Sequence, residues 1–214
     1  MEQLLWFKYQ VHEPLNWVGH LAIMREFERA WRRSGLPVAH SQGFNPRIRQ
    51  SFGLPLVVGA TSACEYGEIR LSQWTALGQV HEKLAQAINP HIVIDKLILA
   101  PTLKSSLMQL LRYADYSLKV FPGGEALEQA VHDFQTADQR LIHKKTKKHV
   151  RELDIKPLVR RLAFSAPDSL DMRLSSSETG TVKPLELLHS LGEGFDAVRL
   201  HRQASLDADE KPLF

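Results

Sequence analysis

Residues 5–33, LWFKYQVHEPLNWVGHLAIMREFERAWRR, combine a strand pattern and a helix pattern in one continuous run. Apolar and polar residues alternate over residues 5–11, which is the period of a half-buried β-strand. Between Trp17 and Trp31 the apolar residues recur at steps of three and four, which predicts an amphipathic helix with Asn16 as N-cap and Gly35 just beyond its end. The predicted buried face of this helix consists of Trp17, Leu21, Met24, Phe27 and Trp31.

The same two periods return through the rest of the first half. Frequent Gly and Pro turn signals divide residues 37–65 into short extended pieces, residues 66–71 and 92–99 have strand patterns, and residues 77–88 have a helical pattern. The first half therefore reads strand, helix, strand, strand, helix, strand. This order is typical of a ferredoxin-like module, in which two helices cover one face of a four-stranded antiparallel sheet.

A similar order of elements follows in the second half. Strand patterns at 116–120, 170–174 and 197–202 accompany helical patterns at 127–134 and 184–191. We predict an α+β protein made of two consecutive ferredoxin-like (βαββαβ) modules, with antiparallel sheets and helices on one face. Residues 1–104 would carry a Gly/Arg loop, and residues 105–214 would carry a basic strip. The alternative is a single α+β domain with a longer sheet.

Composition narrows the class of protein. The chain has 214 residues, with 43% apolar and 24% charged residues, which is close to the average for globular proteins. No run approaches the roughly 18 apolar residues of a membrane span, and residues 1–7 lack the basic start of a signal peptide. We expect a cytoplasmic protein with no membrane partner.

Cys64 is the only cysteine. A lone thiol excludes an intrachain disulfide, a Cys-rich zinc site and an iron–sulfur cluster held by this chain alone. The sequence also lacks the glycine loop of nucleotide hydrolases and the nucleophile elbow of serine hydrolases. We expect no metal and no cofactor on this chain, and catalysis by the chain itself is uncertain.

A basic strip lies in the second half, where residues 140–161 contain nine Lys or Arg against two acidic residues, a local balance of +7. From residue 162 onward the balance is −4. Concentrated positive charge on a chain of net charge +3 favours contact with RNA or DNA, and the alternative is a solvated lysine-rich loop. The candidate phosphate contacts in this strip are Lys144, Lys145, Lys147, Lys148 and Arg151.

Residues 41–49, SQGFNPRIR, form the densest group of unusual residues. Gly43 and the Asn45-Pro46 pair predict a turn from which Arg47 and Arg49 project. Arginines beside Phe44 are suited to clamping a phosphate or stacking on a base. The alternative is an arginine-capped hairpin loop without a ligand.

Three histidines, His12, His20 and His40, come from different elements near the N-terminal sheet and are the weak catalytic candidates. A converging histidine pair can cleave RNA by acid–base chemistry without a metal. His20 lies on the predicted apolar side of the helix, where a hydrogen-bonded core histidine is the competing interpretation.

The run ERAWRRSGLPVAHSQGFNP at residues 28–46 resembles the bacterial radical SAM-linked protein family, a domain fused to or encoded beside radical S-adenosylmethionine proteins. Further matches are PLVVG at 55–59 and LDIKPLV at 153–159. The usual Asn-Pro-His-Pro of the family reads Asn45-Pro46-Arg47-Ile48 here, and its Ser-His-Leu-Asp reads Gly19-His20-Leu21-Ala22. The positions that survive are Arg29, Arg32, Arg33, Gly43, Phe44 and Asn45.

The resemblance implies a bacterial protein that works with a radical SAM enzyme. Together with the lone cysteine and the basic strip, it favours an accessory protein that binds RNA and presents it for modification. The iron–sulfur cluster and S-adenosylmethionine would then belong to the partner. Two other functions stay open. One is a metal-independent ribonuclease, by analogy with the paired ferredoxin-like modules of CRISPR repeat-processing enzymes. The other is a protein–protein adaptor that contacts no nucleic acid.

Overall fold

The computed structural model describes residues 2–101, 105–145, 150–177 and 180–214. The chain divides into two compact units, Met1–Leu111 and Arg112–Phe214. Both mix helices with antiparallel strands, so the predicted α+β class is confirmed. The predicted module boundary after residue 104 falls at residues 102–104, which lie outside the described residues.

The first unit follows the predicted order of elements. They are β1 (Gln3–Val11), α1 (His20–Arg33), β2 (Gln50–Phe52), β3 (Ala60–Leu71), α2 (Leu77–Ala87), β4 (Ile92–Leu99) and the short helix α3 (Leu107–Leu110). Strand β1 pairs antiparallel with both β3 and β4, and β2 pairs antiparallel with β3. The spatial order in this unit is therefore β4-β1-β3-β2.

One hydrophobic core holds the first unit together. Leu5, Phe7, Tyr9 and Val11 of β1 share it with residues of α1 and α2. Alternate residues of a strand point to the same face, so these core residues of β1 and the two helices lie on one side of the strand. The helical residues in the core are Ile23, Phe27, Ala30, Trp31, Val80 and Leu84.

The buried face of α1 differs from the predicted one at its start. Trp17 is 71% exposed and Leu21 is 67% exposed, whereas Ile23 is buried. Gly19, not Asn16, is the N-cap, because residues Leu15–Trp17 form a separate 3₁₀ turn before the helix begins. Residues in that turn do not follow the 3.6-residue period of the α-helix. Trp17 therefore does not lie on the buried face of α1 that the sequence pattern predicts for it.

The second unit contains a longer set of strands. Its elements are β5 (Tyr113–Phe121), α4 (Glu125–Thr136), β6 (Leu141–Lys145), β7 (Val150–Asp154), β8 (Val159–Ala166), β9 (Ser169–Ser177), β10 (Gly180–Thr181), α5 (Pro184–Leu191) and β11 (Asp196–Leu206). Strand β5 lies between β9 and β11, and β8 and β10 also pair with β9. Strands β6 and β7 form a separate two-stranded hairpin.

An ion pair joins β5 to β9 in the second unit. Asp115 and Arg173 are direct partners in the strand register. The Arg173 guanidinium donates two hydrogen bonds of 2.7 Å to the two oxygens of the mostly buried Asp115 carboxylate. These hydrogen bonds raise the pKa of Arg173 despite the opposing effect of burial. This bidentate pair fixes the register of the two strands.

No helix within the described ranges combines the length and hydropathy that crossing a membrane would require.

Candidate nucleic-acid interface

The predicted Gly/Arg loop is a closed hairpin loop in the first unit. His40 and Ile48 form an isolated antiparallel bridge at its base. The Ser41 N–H donates to the Arg47 carbonyl at 2.8 Å, and the Arg47 N–H donates to Ser41 Oγ at 3.0 Å. Gly43 has a φ of 126°, a conformation that disfavours any residue with a β-carbon. The base of the loop is therefore closed by backbone and side-chain hydrogen bonds, and its tip turns at a glycine.

Phe44 and Arg47 are the two exposed side chains that this loop presents. Phe44 is fully exposed, without any contact that would explain an aromatic residue there as part of the core. Arg47 is exposed as well, and no described residue pairs with its guanidinium. The loop thus offers an aromatic face and an unpaired cation within four residues of each other.

Arg49, the other predicted loop arginine, is engaged within the protein. Its Nη1 lies 3.3 Å from Glu2 Oε2, and Arg70 Nη1 lies 3.3 Å from the same oxygen. The backbone of Arg49 also donates to the Ala39 carbonyl at 2.9 Å. Arg47 and Arg49, for which the sequence predicts the same role, therefore differ in whether the guanidinium has an ion-pair partner within the protein.

The helix arginines divide in the same way. The Arg33 guanidinium donates to Glu26 Oε1 at 2.7 Å and also to the Ala87 carbonyl, at 3.0 Å from Nε and 2.7 Å from Nη2. Arg29 donates to Glu26 Oε2 at 2.9 Å. Arg33 therefore caps the last turn of α2, while Arg32 is exposed and has no pairing among the described residues.

Glu26 is the acidic centre of this arrangement. Its partial burial acts to raise the pKa of the carboxyl, but the hydrogen bonds from Arg33 and Arg29 outweigh that effect and lower it. The carboxylate is thus held ionised by two of the three helix arginines. Arg29 and Arg33, two of the arginines predicted to bind nucleic acid, therefore share one carboxylate as an ion-pair partner within the protein.

The sheet of the first unit separates His12 from His40. His12 follows the last residue of β1, and its N–H donates to the His91 carbonyl at 2.9 Å. His40 lies next to Ala39, whose N–H donates to the Arg70 carbonyl. Arg70 is the register partner of Leu4, which lies near the opposite end of β1 from His12. At about 3.3 Å per residue the two ends are roughly 25 Å apart. His20 is the first residue of α1, and its ring packs edge-on against the Phe52 ring, with 6.0 Å between the ring centres.

The basic strip of the second unit is partly used by the fold. Lys144 Nζ lies 3.0 Å from Glu186 Oε2 and also donates to the Thr181 carbonyl. Arg151, its register partner on β7, is exposed and has no described ion pair. Lys147 and Lys148 lie outside the described residues, and of Lys145 only the backbone, in β6, is described.

Lys156 closes the last turn of α4. Its Nζ donates to the Phe134 carbonyl and, at 2.7 Å, to the Gln135 carbonyl. The same ammonium lies 4.9 Å from the centre of the Phe134 ring. Cations are favoured at helix C-termini because the last carbonyls lack partners within the helix. Lys156 therefore has a structural role.

A cleft of about 590 Å³ lies in the second unit between the β6–β7 hairpin and α5. Arg151 and Lys144 line it from the hairpin, and Lys183 and His189 line it from α5. Sequence reasoning missed Lys183 and His189, because residues from 162 onward are acidic overall and a contact between hairpin and helix has no local signal. The only part of this wall that the sequence predicted is the helix itself, from the helical pattern at residues 184–191.

No group of three or more His, Cys, Asp or Glu side chains is placed to hold a metal ion in the part of the chain that the structure describes.

The fold is that of an α+β protein, and each unit has exposed cations that are candidates for anion binding. The chain belongs to the family of uncharacterized proteins conserved in bacteria (DUF2344), whose model matches residues 5–184. This match confirms a bacterial domain of uncharacterized function, and the family description contains no reference to radical SAM proteins. No curated protein matches the chain.

Proposed function

We propose that this protein binds single-stranded RNA through the hairpin loop that carries Phe44 and Arg47, and that it presents the RNA to a radical SAM enzyme. In this proposal the chain itself is not catalytic, it acts in the cytoplasm, and the partner holds the iron–sulfur cluster and S-adenosylmethionine. Each unit would be a ferredoxin-like module. The strand orders β4-β1-β3-β2 and β11-β5-β9-β8 support that assignment, with the β6–β7 hairpin as an insertion.

The observation that carries the proposal is the exposed Phe44 beside the unpaired Arg47 on a loop closed by hydrogen bonds. The exposed Phe44 ring has apolar surface that a ligand could cover, and burial of that surface would favour binding. Aromatic rings bind single-stranded nucleic acid by base stacking, and a neighbouring arginine can bind the phosphate. The two Ser41–Arg47 hydrogen bonds close the base of the loop before any ligand binds, which reduces the conformational entropy lost on binding.

An exposed apolar patch supports the second part of the proposal, a protein partner. It consists of Trp17, Val18, Leu21 and Val58, which lie at the beginning of α1 and on the adjoining loop. The Gly59 N–H donates to the Asn16 carbonyl at 2.6 Å, which brings Val58 next to this turn. Contiguous exposed apolar side chains are typical of protein contact sites. The resemblance to the radical SAM-linked family is what suggests the identity of the partner.

RNA binding is tested by fluorescence anisotropy with a labelled single-stranded oligoribonucleotide at low ionic strength. We expect Phe44→Ala and Arg47→Gln each to weaken binding about tenfold, because a stacked base contributes about 1–3 kcal/mol. Arg199→Gln, which removes an exposed arginine of the second unit, is the control for net charge. Absence of salt-dependent binding by the wild-type protein would overturn the proposal.

A ribonuclease activity is the competing function, and the separation of His12 from His40 argues against these two histidines acting together as its acid and base. Incubation of the same RNA with the protein in EDTA distinguishes the two functions. Intact RNA agrees with a binding protein, whereas metal-independent cleavage that is lost on His20→Ala or His40→Ala would favour the nuclease.

The adaptor without nucleic acid is distinguished by co-purification. If the protein is an adaptor, a radical SAM protein co-purifies with it and is lost on Trp17→Ala with Leu21→Ala, while Phe44→Ala has no effect and no RNA is present. RNA in the purified complex that depends on Phe44 and Arg47 supports the RNA-presenting function instead.

A further inference from the structure

We propose that the cleft of the second unit binds a phosphomonoester, a ligand and a site distinct from the RNA loop of the first unit. The cleft has walls from two elements, the β6–β7 hairpin and α5. Its volume of about 590 Å³ lies in the range of sites for small organic ligands. All of its lining residues belong to the second unit.

Glu186 is the acidic residue in the lining, and the protein already occupies it. Its Oε2 accepts a hydrogen bond of 2.8 Å from the Lys183 N–H and lies 3.0 Å from Lys144 Nζ. This carboxylate therefore ties α5 to the hairpin and compensates Lys144. It does not leave an uncompensated negative charge that would repel an anion.

Arg151 and Lys183 are the two remaining cations of the cleft. Arg151 is the register partner of Lys144 on the neighbouring strand, and Lys183 directly precedes α5. Both are exposed, and no described acidic side chain pairs with either. With Lys144 compensated by Glu186, the lining carries a balance of +2.

This balance matches the charge of a phosphomonoester, which is about −1.5 to −2 at neutral pH. Arginine can donate two parallel hydrogen bonds to a phosphate, and a lysine from the opposite wall can contribute a third contact. The charge of the two walls therefore favours a terminal phosphate over a phosphodiester, which carries a single negative charge.

The rest of the lining fits the organic part of such a ligand. Leu141 and Ile142 supply apolar surface, while His143 and His189 supply planar rings from opposite walls. The cleft is several times larger than a phosphate group alone requires. We therefore infer a nucleotide-like monoester, supplied either as a free mononucleotide or as the 5′-terminal nucleotide of an RNA.

Calorimetric titration with adenosine 5′-monophosphate, with adenosine and with inorganic phosphate tests the site. A second arm compares one oligoribonucleotide with and without its 5′-phosphate. If the free nucleotide is the source, adenosine 5′-monophosphate binds at least tenfold more tightly than adenosine. If the RNA terminus is the source, the 5′-phosphate strengthens RNA binding by a similar factor.

In either arm, Arg151→Gln should remove at least nine-tenths of the preference for the phosphate, and Lys183→Gln should weaken it several-fold. Arg199→Gln is the matched control and should have no effect, and circular dichroism verifies that each variant is folded. The proposal is overturned if neither arm shows a preference for the monoester, or if Arg151→Gln and Lys183→Gln leave that preference unchanged.

The loop variants keep this result separate from the RNA-binding proposal. Phe44→Ala and Arg47→Gln should leave the affinity for adenosine 5′-monophosphate, and the effect of the RNA 5′-phosphate, unchanged. The proposal for the cleft can therefore be wrong while the loop binds RNA, and the proposal for the loop can be wrong while the cleft binds the monoester.

Discussion

The ring of Phe7 occupies the space that a β-carbon on Gly67 would need, with ring atom Cζ only 2.2 Å from that position. The two residues are direct partners in the β1–β3 register. The Phe7 ring cannot easily move away, because Phe27 lies 5.1 Å from it and Phe52 lies 6.0 Å from it, between ring centres. The close packing of this core thus depends on the absence of one side chain.

Gly67→Ala should therefore destabilise the protein by about 3 kcal/mol, the upper range for overpacking a dense core. Gly78→Ala is the matched control, because Gly78 lies in α2 and no heavy atom is within 4 Å of its added β-carbon. That substitution should stabilise by about 0.5–1 kcal/mol, since alanine is the better helix former. Urea unfolding measures both, and equal effects would contradict the packing described for Phe7.

Arg33 and Arg32 are adjacent arginines with different expected roles. Arg33→Gln should lower the free energy of unfolding by about 1 kcal/mol, because it removes the cap on the Ala87 carbonyl and a partly exposed ion pair with Glu26. Arg32→Gln should leave stability unchanged, because no described group pairs with Arg32. Thermal unfolding followed by circular dichroism compares the two, and an equal loss for both would refute the distinction.

The Glu26 cluster should also make stability depend on pH. The pKa of Glu26 is lowered in the folded protein from 4.5, so the folded state favours the ionised carboxyl. The stabilisation is fully present above the unfolded pKa and is lost as the pH falls through the folded pKa. Urea midpoints between pH 3 and pH 7 should decline less steeply for Glu26→Gln than for the wild type. Parallel curves would show that the ion pairs contribute nothing.

The two loop arginines should differ in RNA binding. Arg47→Gln removes a cation with no described partner, whereas Arg49 is paired with Glu2, so Arg49→Gln removes a charge that is already largely compensated. We expect Arg47→Gln to reduce both the affinity and the salt dependence more than Arg49→Gln does. Anisotropy titrations at two salt concentrations give both quantities, and a larger effect of Arg49→Gln would contradict this order.

Local periodicity was sufficient for the elements with a strong pattern. The helix α5 was predicted over residues 184–191 and is found at Pro184–Leu191, and the alternation in residues 5–11 correctly predicted β1. The start of β3 was not predicted, because small and polar residues such as Ser62 interrupt the alternation there although they are buried. Strand β8 is exposed at most of its positions and has two adjacent arginines, Arg160 and Arg161, near its start, so its sequence lacks an alternating pattern.

The candidate site was predictable only in part. The turn at Gly43 and the exposure of Arg47 follow from neighbours in the sequence, and the hairpin loop confirms the turn. The pairing of Arg33 with Ala87 and of Lys144 with Glu186 joins residues more than 40 positions apart. No local sequence pattern predicts contacts between residues so far apart. The number of charged residues could therefore be read from the sequence, but not which of them have a partner within the protein.

Each unit uses a basic side chain from another element to close a helix: Arg33 for α2 and Lys156 for α4. A polyanion could recruit either cation only by exposing unpaired carbonyls at the end of that helix. Selection should therefore retain both residues even in relatives that bind no polyanion. Invariance of Arg33 or Lys156 across the family would therefore reflect a requirement of folding. Variation at Arg47, Arg151 and Lys183 would be the better indicator of differences in ligand binding between members.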